Sequence, residues 1–250
     1  MKLHLYGKTA LVTGASMGIG HAIAKGLAEE GVRLCITARR EQLLRSLAED
    51  IVAAGGDKPH ISVTDILESD APKRLAADAL NALGQIDILI NNAGGSRPLP
   101  VDASDEQWEE AMTLNFTRVR QLTHAILPSM MQHQWGRIIN ITGKQEQTRL
   151  NAAYSAKAGV HAWAKGLSKE VGKYGITINS IPPGKILSEQ SRLKYSPQLR
   201  KSFSKREIPV GRFGEPEELA CLAVFLSSPV AAYITGTVIP VDGGLRRYAF

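Results

Sequence analysis

The stretch "TALVTG" (residues 9–14) runs directly into "ASMGIGHAIAKGLAEEG" (residues 15–31), and this junction decides the fold. Thr9 to Thr13 is a short apolar run stopped by glycine, the pattern of a strand covered on both faces. From Gly18 the apolar residues return at helical spacing, and Gly31 closes the segment as a helix-ending glycine does. Gly14, Gly18 and Gly20 lie between the two, spaced GxxxGxG. A tight glycine turn there brings backbone N–H groups close to a pyrophosphate, and the helix N-terminus favours its negative charge. A structural turn without a ligand is the alternative.

The same alternation continues along the chain. "RLCITA" (33–38), "HISVTD" (60–65), "IDILINNAG" (86–94), "GRIINIT" (136–142), "ITINSIPPG" (176–184) and "GTVIPVDGG" (236–244) read as further strands. Amphipathic segments separate them, including 40–56, 71–84, 151–175 and 216–228, and Pro128 is expected to bend or end a helix within 105–134. Alternating strands and helices predict parallel βαβ units. The expectation is a single α/β domain over residues 1–250, a doubly wound, Rossmann-like sheet of about seven strands with helices on both faces. Ligands of such sheets bind beyond the carboxyl ends of the strands.

Composition narrows the function classes. Apolar residues make up 44 % of 250, enough for a large core. Cys35 and Cys221 each sit in an apolar run and read as small buried hydrophobes. No CxxC or HExxH occurs and the six His are scattered, so no metal is expected. No signal peptide and no apolar stretch of bilayer length is seen, which predicts a cytoplasmic protein without membrane contact. The net charge is +6. Lys185, Arg192, Lys194, Arg200, Lys201, Lys205, Arg206 and Arg212, against Glu189 and Glu207, account for all of it. Segment 185–212 is either a solvated surface or a basic lid that draws an anionic substrate, with Arg97 and Arg149 adding to the field. Sparse aromatics argue against nucleic acid.

With these motifs in order, the chain resembles a short-chain dehydrogenase/reductase, with a layout like that of the β-ketoacyl-carrier-protein reductases. "TGASMGIG" (13–20), "NNAG" (91–94), Asn115 in "LNF" (114–116), "NSIPPGKI" (179–186) and "TGTVIPVDGG" (235–244) carry the resemblance. It implies that Gly14, Ser16, Met17, Gly18, Ile19 and Gly20 hold the cofactor phosphates. It places Asp65 and Ile66 at the adenine, Asn92, Ala93 and Gly94 at the ribose, and Pro183, Gly184 and Ile186 at the nicotinamide. The second strand ends in Ala38, followed by Arg39 and Arg40, where an NAD enzyme carries an acid. An acid repels a 2′-phosphate and an Arg grips it, so NADP(H) is expected over NAD(H). The resemblance also implies a homo-oligomer, a tetramer, and a small-molecule substrate.

The chemistry it implies is hydride transfer between nicotinamide C4 and a carbonyl or alcohol carbon. A Tyr handles the proton, a Lys lowers its pKa and binds the ribose, a Ser polarises the substrate oxygen, and an Asn backbone carbonyl holds a relay water. Here "NAAYSAKAG" (151–159) gives Tyr154 and Lys157 spaced YxxK instead of YxxxK. If Lys157 sets the register, Ala153 stands at the Tyr position. Anchored on "GRIINIT", the Ser position holds Gly143, and Thr142 is the only hydroxyl near either count. The catalytic candidates are therefore Tyr154, Lys157, Asn115 and Thr142. A π-bulge is one way to restore the Tyr direction. Three readings stand: an oxidoreductase using this set, an oxidoreductase whose donor is Lys144, Gln145, Glu146 or Arg149, or a cofactor-binding protein with little turnover, such as a sensor or an inactive partner subunit. His161 and Trp163 on the same helix are expected to pack or to face another subunit.

Overall fold

The computed structural model describes residues 1–143 and 149–248. The apolar runs form six strands: β1 (Thr9–Thr13), β2 (Arg33–Ala38), β3 (His60–Val63), β4 (Ile88–Asn91), β5 (Gly136–Ile141) and β6 (Ile176–Ile181). They pair in parallel, in the order β3-β2-β1-β4-β5-β6. The order reverses between β1 and β4, and a crevice opens there beyond the strand ends. Among the described residues no helix is long and apolar enough to cross a membrane.

Among the described residues nine α-helices cover the sheet: α1 (Gly18–Glu29), α2 (Glu41–Ala53), α3 (Ala71–Leu83), α4 (Asp105–Met112), α5 (Arg118–Gln132), α6 (Ala152–Val171), α7 (Glu189–Lys194), α8 (Pro197–Glu207) and α9 (Pro216–Leu226). Alternate strand residues feed two cores. Val12, Ile36, Ile90 and Ile139 pack with α1, α2 and α9, whereas Leu11, Leu89, Ile138 and Ile178 pack with α3, α5 and α6. This two-sided burial is why the strands read as near-continuous apolar runs.

The count is six strands, not seven. Segment 236–244 does run beside β6, but only as isolated bridges, Ser180 to Val238 and Pro183 to Val241. Ser180 N–H donates to Thr237 O and Ile239 N–H to Ser180 O, and the pattern resumes with Val241 N–H on Pro182 O. The rung between them would need an N–H from residue 182, and proline has none.

Other expectations also change. Pro128 neither ends nor starts a helix; it lies inside α5, and the irregularity falls earlier, at a π-helical turn over Thr113–Thr117. Cys35 is buried, and desolvation raises its thiol to about 12, but Cys221 is exposed. On α9 the inward positions belong to Leu219, Ala220, Ala223 and Val224, which leaves Cys221 on the outer face.

Two polar features interrupt the core. Ser62, Thr37 and Thr13 align across β3, β2 and β1, and Asn91, Asn140 and Ser180 align across β4, β5 and β6. This row sits near the carboxyl ends of the strands. Asn91 Nδ2 donates to Thr123 Oγ1 and to Asn140 Oδ1. At the opposite end of β5 the guanidinium of Arg137 is buried. It donates to the carbonyls of Gly136, Gly175 and Ser228, lies 4.4 Å from the Trp135 ring centroid, and is held down at about 10 by desolvation.

Candidate active site

The crevice at the strand ends encloses about 420 Å³. Its floor is the β1–α1 turn. Gly14 has φ +64°, and a Cβ there would lie 2.8 Å from Asn92 Nδ2. A Cβ on Gly20 would collide with Asn92 Nδ2 and with the Gly14 carbonyl. Asn92 explains the crowding, because its Nδ2 donates to the carbonyls of Thr13 and Gly14. Thr13 Oγ1 in turn accepts from the N–H groups of Asn92 and Ala93 and donates to Ile90 O. Thr13 thus locks the first and fourth strand ends together. Nothing in the local sequence pattern marks Thr13 for this role.

Above this floor, Ser16, Met17, Gly18 and Ile19 line the crevice. Helix α1 begins there with Met17 as its N-cap, which supplies no side-chain acceptor, and its first turn carries no acid. The first N–H groups of a helix lack intrahelical partners. A Cβ on Gly18, φ +58°, would meet nothing nearer than Ser188 Cβ at 3.6 Å. Uncapped donors beneath an open glycine turn fit a pyrophosphate.

Ala38, Arg39 and Arg40 line the next part of the wall, with Asp65 and Ile66 across from them. Arg39 lies 3.9 Å from Asp65, and Arg40 pairs at 3.3 Å with Glu189 at the start of α7. The buried hydroxyl oxygen of Thr37, also in the wall, has no partner among the described residues.

At the far end, Ala93, Gly94, Thr142, Lys157 and Pro183 converge. Lys157 Nζ donates to the Thr142 carbonyl at 3.0 Å. Desolvation lowers its ammonium to about 8. A methyl on Gly94 would lie 2.9 Å from Asn115 Oδ1 and 3.7 Å from Lys157 Nζ, so glycine lets these groups share one spot. Asn115 lies behind the wall. It sits in the π-helical turn, accepts from Gly95 N–H at 3.0 Å and donates to Ala111 O.

Helix α6 brings up the remaining candidates. Asn151 caps it, accepting from Ala153 N–H, and ties its start to the 96–97 loop through Ser96 Oγ and Arg97 N–H. The helix is α-helical throughout, so no π-bulge restores the family register. Ala153 is buried. A Cβ on Gly143 would touch the Lys157 stem at 3.3 Å and the Tyr154 ring at 3.6 Å, so these two side chains close over the space a serine would occupy. Tyr154 is not among the residues lining the crevice, whereas Lys157 is. Three residues apart on an α-helix, they leave it in directions about 60° apart.

Thr142 also meets His161, whose Nε2 lies 2.7 Å from its hydroxyl oxygen. His161, expected to pack or to face another subunit, thus also bonds at the crevice, and no local sequence pattern links it to Thr142. Trp163 packs against Phe116 and His124. Gly184 and Ile186 turn away from the crevice. A Cβ on Gly184 would meet Asp242 Cβ at 2.7 Å, and Ile186 is buried in the core. Lys144, Gln145 and Glu146 lie outside the described residues, and Arg149 is exposed.

Much of the basic charge of 185–212 is already engaged. Lys185 donates to Tyr195 OH, Arg200 to Tyr195 O, and Arg206 pairs with Glu207. Arg212 grips Glu218 with two bonds. Outside the segment, Arg97 pairs with Glu110.

Residues 14–246 match the family described as enoyl-(acyl carrier protein) reductase. The chain is 41% identical over 248 residues to the 3-oxoacyl-[acyl-carrier-protein] reductase FabG of Haemophilus influenzae, covering 96% of this chain and 99% of that one. It resembles L-sorbose reductase from Gluconobacter frateurii, solved with NADPH and L-sorbose, with a TM-score of 0.93, 30% identity and coverage of 99% and 100%. It also resembles a 7 alpha-hydroxysteroid dehydrogenase solved with NADH and 7-oxo glycochenodeoxycholic acid, with a TM-score of 0.92, 30% identity and coverage of 97% and 96%.

Proposed function

Because the chain belongs to the short-chain dehydrogenase/reductase family, we propose that it is an NADP(H)-dependent oxidoreductase acting between a carbonyl and a secondary alcohol. The observation that carries this reading is Lys157, desolvated in the crevice wall and held on the Thr142 carbonyl at the far end from the open α1 turn. Bound cofactor would exchange hydride through its nicotinamide.

The protein's own groups have distinct tasks. The α1 turn and its free N–H groups hold the pyrophosphate. Arg39 and Arg40 grip the 2′-phosphate, with Ala38 in place of an acid. Asp65 and Ile66 bound the adenine end, and Asn92, Ala93, Gly94 and Pro183 the ribose and nicotinamide end. Lys157 holds the ribose and stands three residues from Tyr154 on the same helix, and Tyr154 moves the proton. Asn115 keeps the 94–95 loop and the π turn in place around them. Residues 1–250 act as one unit in a homo-tetramer, with 185–212 as a lid over an anionic substrate. Within that segment Arg192, Lys201 and Lys205 are exposed.

The test is NADPH consumption by the purified protein against a panel of carbonyl compounds. The panel includes acetoacetyl-coenzyme A as an anionic 3-oxoacyl thioester and uncharged ketones of similar size. Turnover faster on the thioester supports both the activity and the charge preference. Light scattering gives the assembly state.

A second reading has its own support. The Tyr154 ring lies against Gly143 and outside the crevice wall, the placement of a packing residue. On this reading the chain is an NADP(H)-binding sensor or inactive partner subunit, and NADPH binds tightly while no carbonyl in the panel is reduced.

A further inference from the structure

Thr142 is held by all three of its polar groups. Its N–H donates to Ile181 O at 3.0 Å, its carbonyl accepts from Lys157, and its hydroxyl oxygen lies 2.7 Å from His161 Nε2. Lys157 and His161 stand one turn apart on the same face of α6. Thr142 itself is buried and lines the crevice beside Lys157. A threonine hydroxyl otherwise rotates among staggered positions, and each position aims its hydrogen differently. Here one ring nitrogen at short distance selects among them.

We propose that His161 is a positioning residue: as the Nε2–H tautomer it donates to Thr142 Oγ1, and so leaves the Thr142 hydroxyl hydrogen free to bond the substrate oxygen. This rests on the oxidoreductase reading above. It gives Thr142 the polarising task for which Gly143 has no side chain. In the reduction, the carbonyl carbon gains a hydride from NADPH, and its oxygen takes the π electron pair and a proton from the Tyr154–Lys157 pair. Thr142 transfers nothing and supplies one hydrogen bond to the oxygen as charge builds on it.

The surroundings of His161 suit this task. Desolvation, helped by the positive charges of Arg246 and Lys157, lowers its pKa from 6.5 to about 4. The ring is therefore neutral near pH 7 and carries a single N–H, and the tautomer decides the direction of the bond. If the proton sat on Nδ1, Nε2 would accept the Thr142 hydrogen and withdraw it from the substrate.

The tautomer is read directly from the nitrogen-15 resonances of the His161 ring in the protein without cofactor. The expected result is a protonated Nε2 whose resonance moves in Thr142→Val and stays in Thr142→Ser. A ring protonated at Nδ1 overturns the proposal. The kinetic arm compares His161→Leu, His161→Gln and Thr142→Val, singly and combined. His161→Leu should lower kcat on the order of tenfold to a hundredfold with KM little changed. His161→Gln, which retains an N–H donor, should recover part of the loss. The Thr142→Val/His161→Leu double variant should be no worse than Thr142→Val alone. The NADPH dissociation constant, measured for each variant, checks that the fold and the cofactor site persist. Full kcat in His161→Leu, or losses that multiply in the double variant, overturns the positioning role and leaves the oxidoreductase reading intact. A wild-type protein that binds NADPH but turns over nothing overturns both.

Discussion

Lys157 donates to the carbonyl of Thr142 at 3.0 Å, and among the described residues no carboxylate forms an ion pair with its ammonium. An ammonium desolvated without a counter-charge pays for its burial in proton affinity. Its pKa falls from 10.5 to about 8. Between those two values the unfolded chain binds more protons than the folded one, so this group makes stability rise with pH. Below about 8 its full cost is present. Urea unfolding of the wild type and of Lys157→Met, each from neutral pH to about pH 10.5, isolates this contribution. The wild type should gain stability across the window relative to the variant, and equal pH dependence would mean that water reaches the ammonium.

Tyr154→Phe separates the two functional readings. Loss of a proton-transferring hydroxyl lowers turnover by about 100-fold or more, whereas the ring packing on Gly143 survives. NADPH affinity should change little. A variant with wild-type turnover would make Tyr154 a packing residue.

Cofactor choice is set where β2 ends. Ala38→Asp brings an acid beside Arg39 and Arg40, which line the same wall. Repulsion of the 2′-phosphate should weaken NADPH binding by roughly tenfold to a hundredfold, while NADH improves. Removing both arginines should weaken NADPH and spare NADH. Titrations with the two cofactors measure both effects, and equal losses for the two would refute a 2′-phosphate contact.

Gly14→Ala tests the floor of the crevice. The new methyl would sit 2.8 Å from Asn92 Nδ2 at φ +64°, so both the bonds from Asn92 and the backbone resist it. A loss of about 1–3 kcal/mol in urea is expected, with weakened NADPH binding.

Far from the crevice, Arg137→Met removes the donors that serve the Gly136, Gly175 and Ser228 carbonyls. It also removes a desolvated charge, which offsets part of the cost. A net loss of about 1–3 kcal/mol is expected, with NADPH affinity unchanged.

The parts of this molecule that were legible in sequence are those where a local pattern meets a single physical demand. Strand β1, the glycine turn and α1 follow from an apolar run, positive φ at Gly14 and Gly18, and helical spacing. Most of the residues expected at the cofactor line the crevice, since they lie in the turns that follow readable strands, and Lys157 reaches it from α6. The errors came from demands that arise only after folding. The seventh strand failed because Pro182, on its neighbour, lacks an N–H. The exposure of Cys221 depended on which face of α9 turned inward. The π turn at Asn115 extends a helical pattern by one residue per turn, and apolar spacing over five residues does not register it. His161 and Thr142 are 19 positions apart and meet only because α6 packs back on β6, the strand beside β5.

The return of segment 236–244 along β6 has a consequence for behaviour in a crowded solution. An outermost parallel strand presents unpaired amides that another chain can add to. Here Ser180 N–H, Gly184 N–H and the carbonyls of Ile178, Ser180 and Pro182 are already occupied by Gly236 to Val241. The tail therefore acts as an edge guard, and the missing rung at Pro182 leaves no run of free donors for strand addition. Cutting the chain before Gly236 would free these groups, with only the Ile178 N–H still held by Thr235 Oγ1, and the truncated protein should self-associate through that edge.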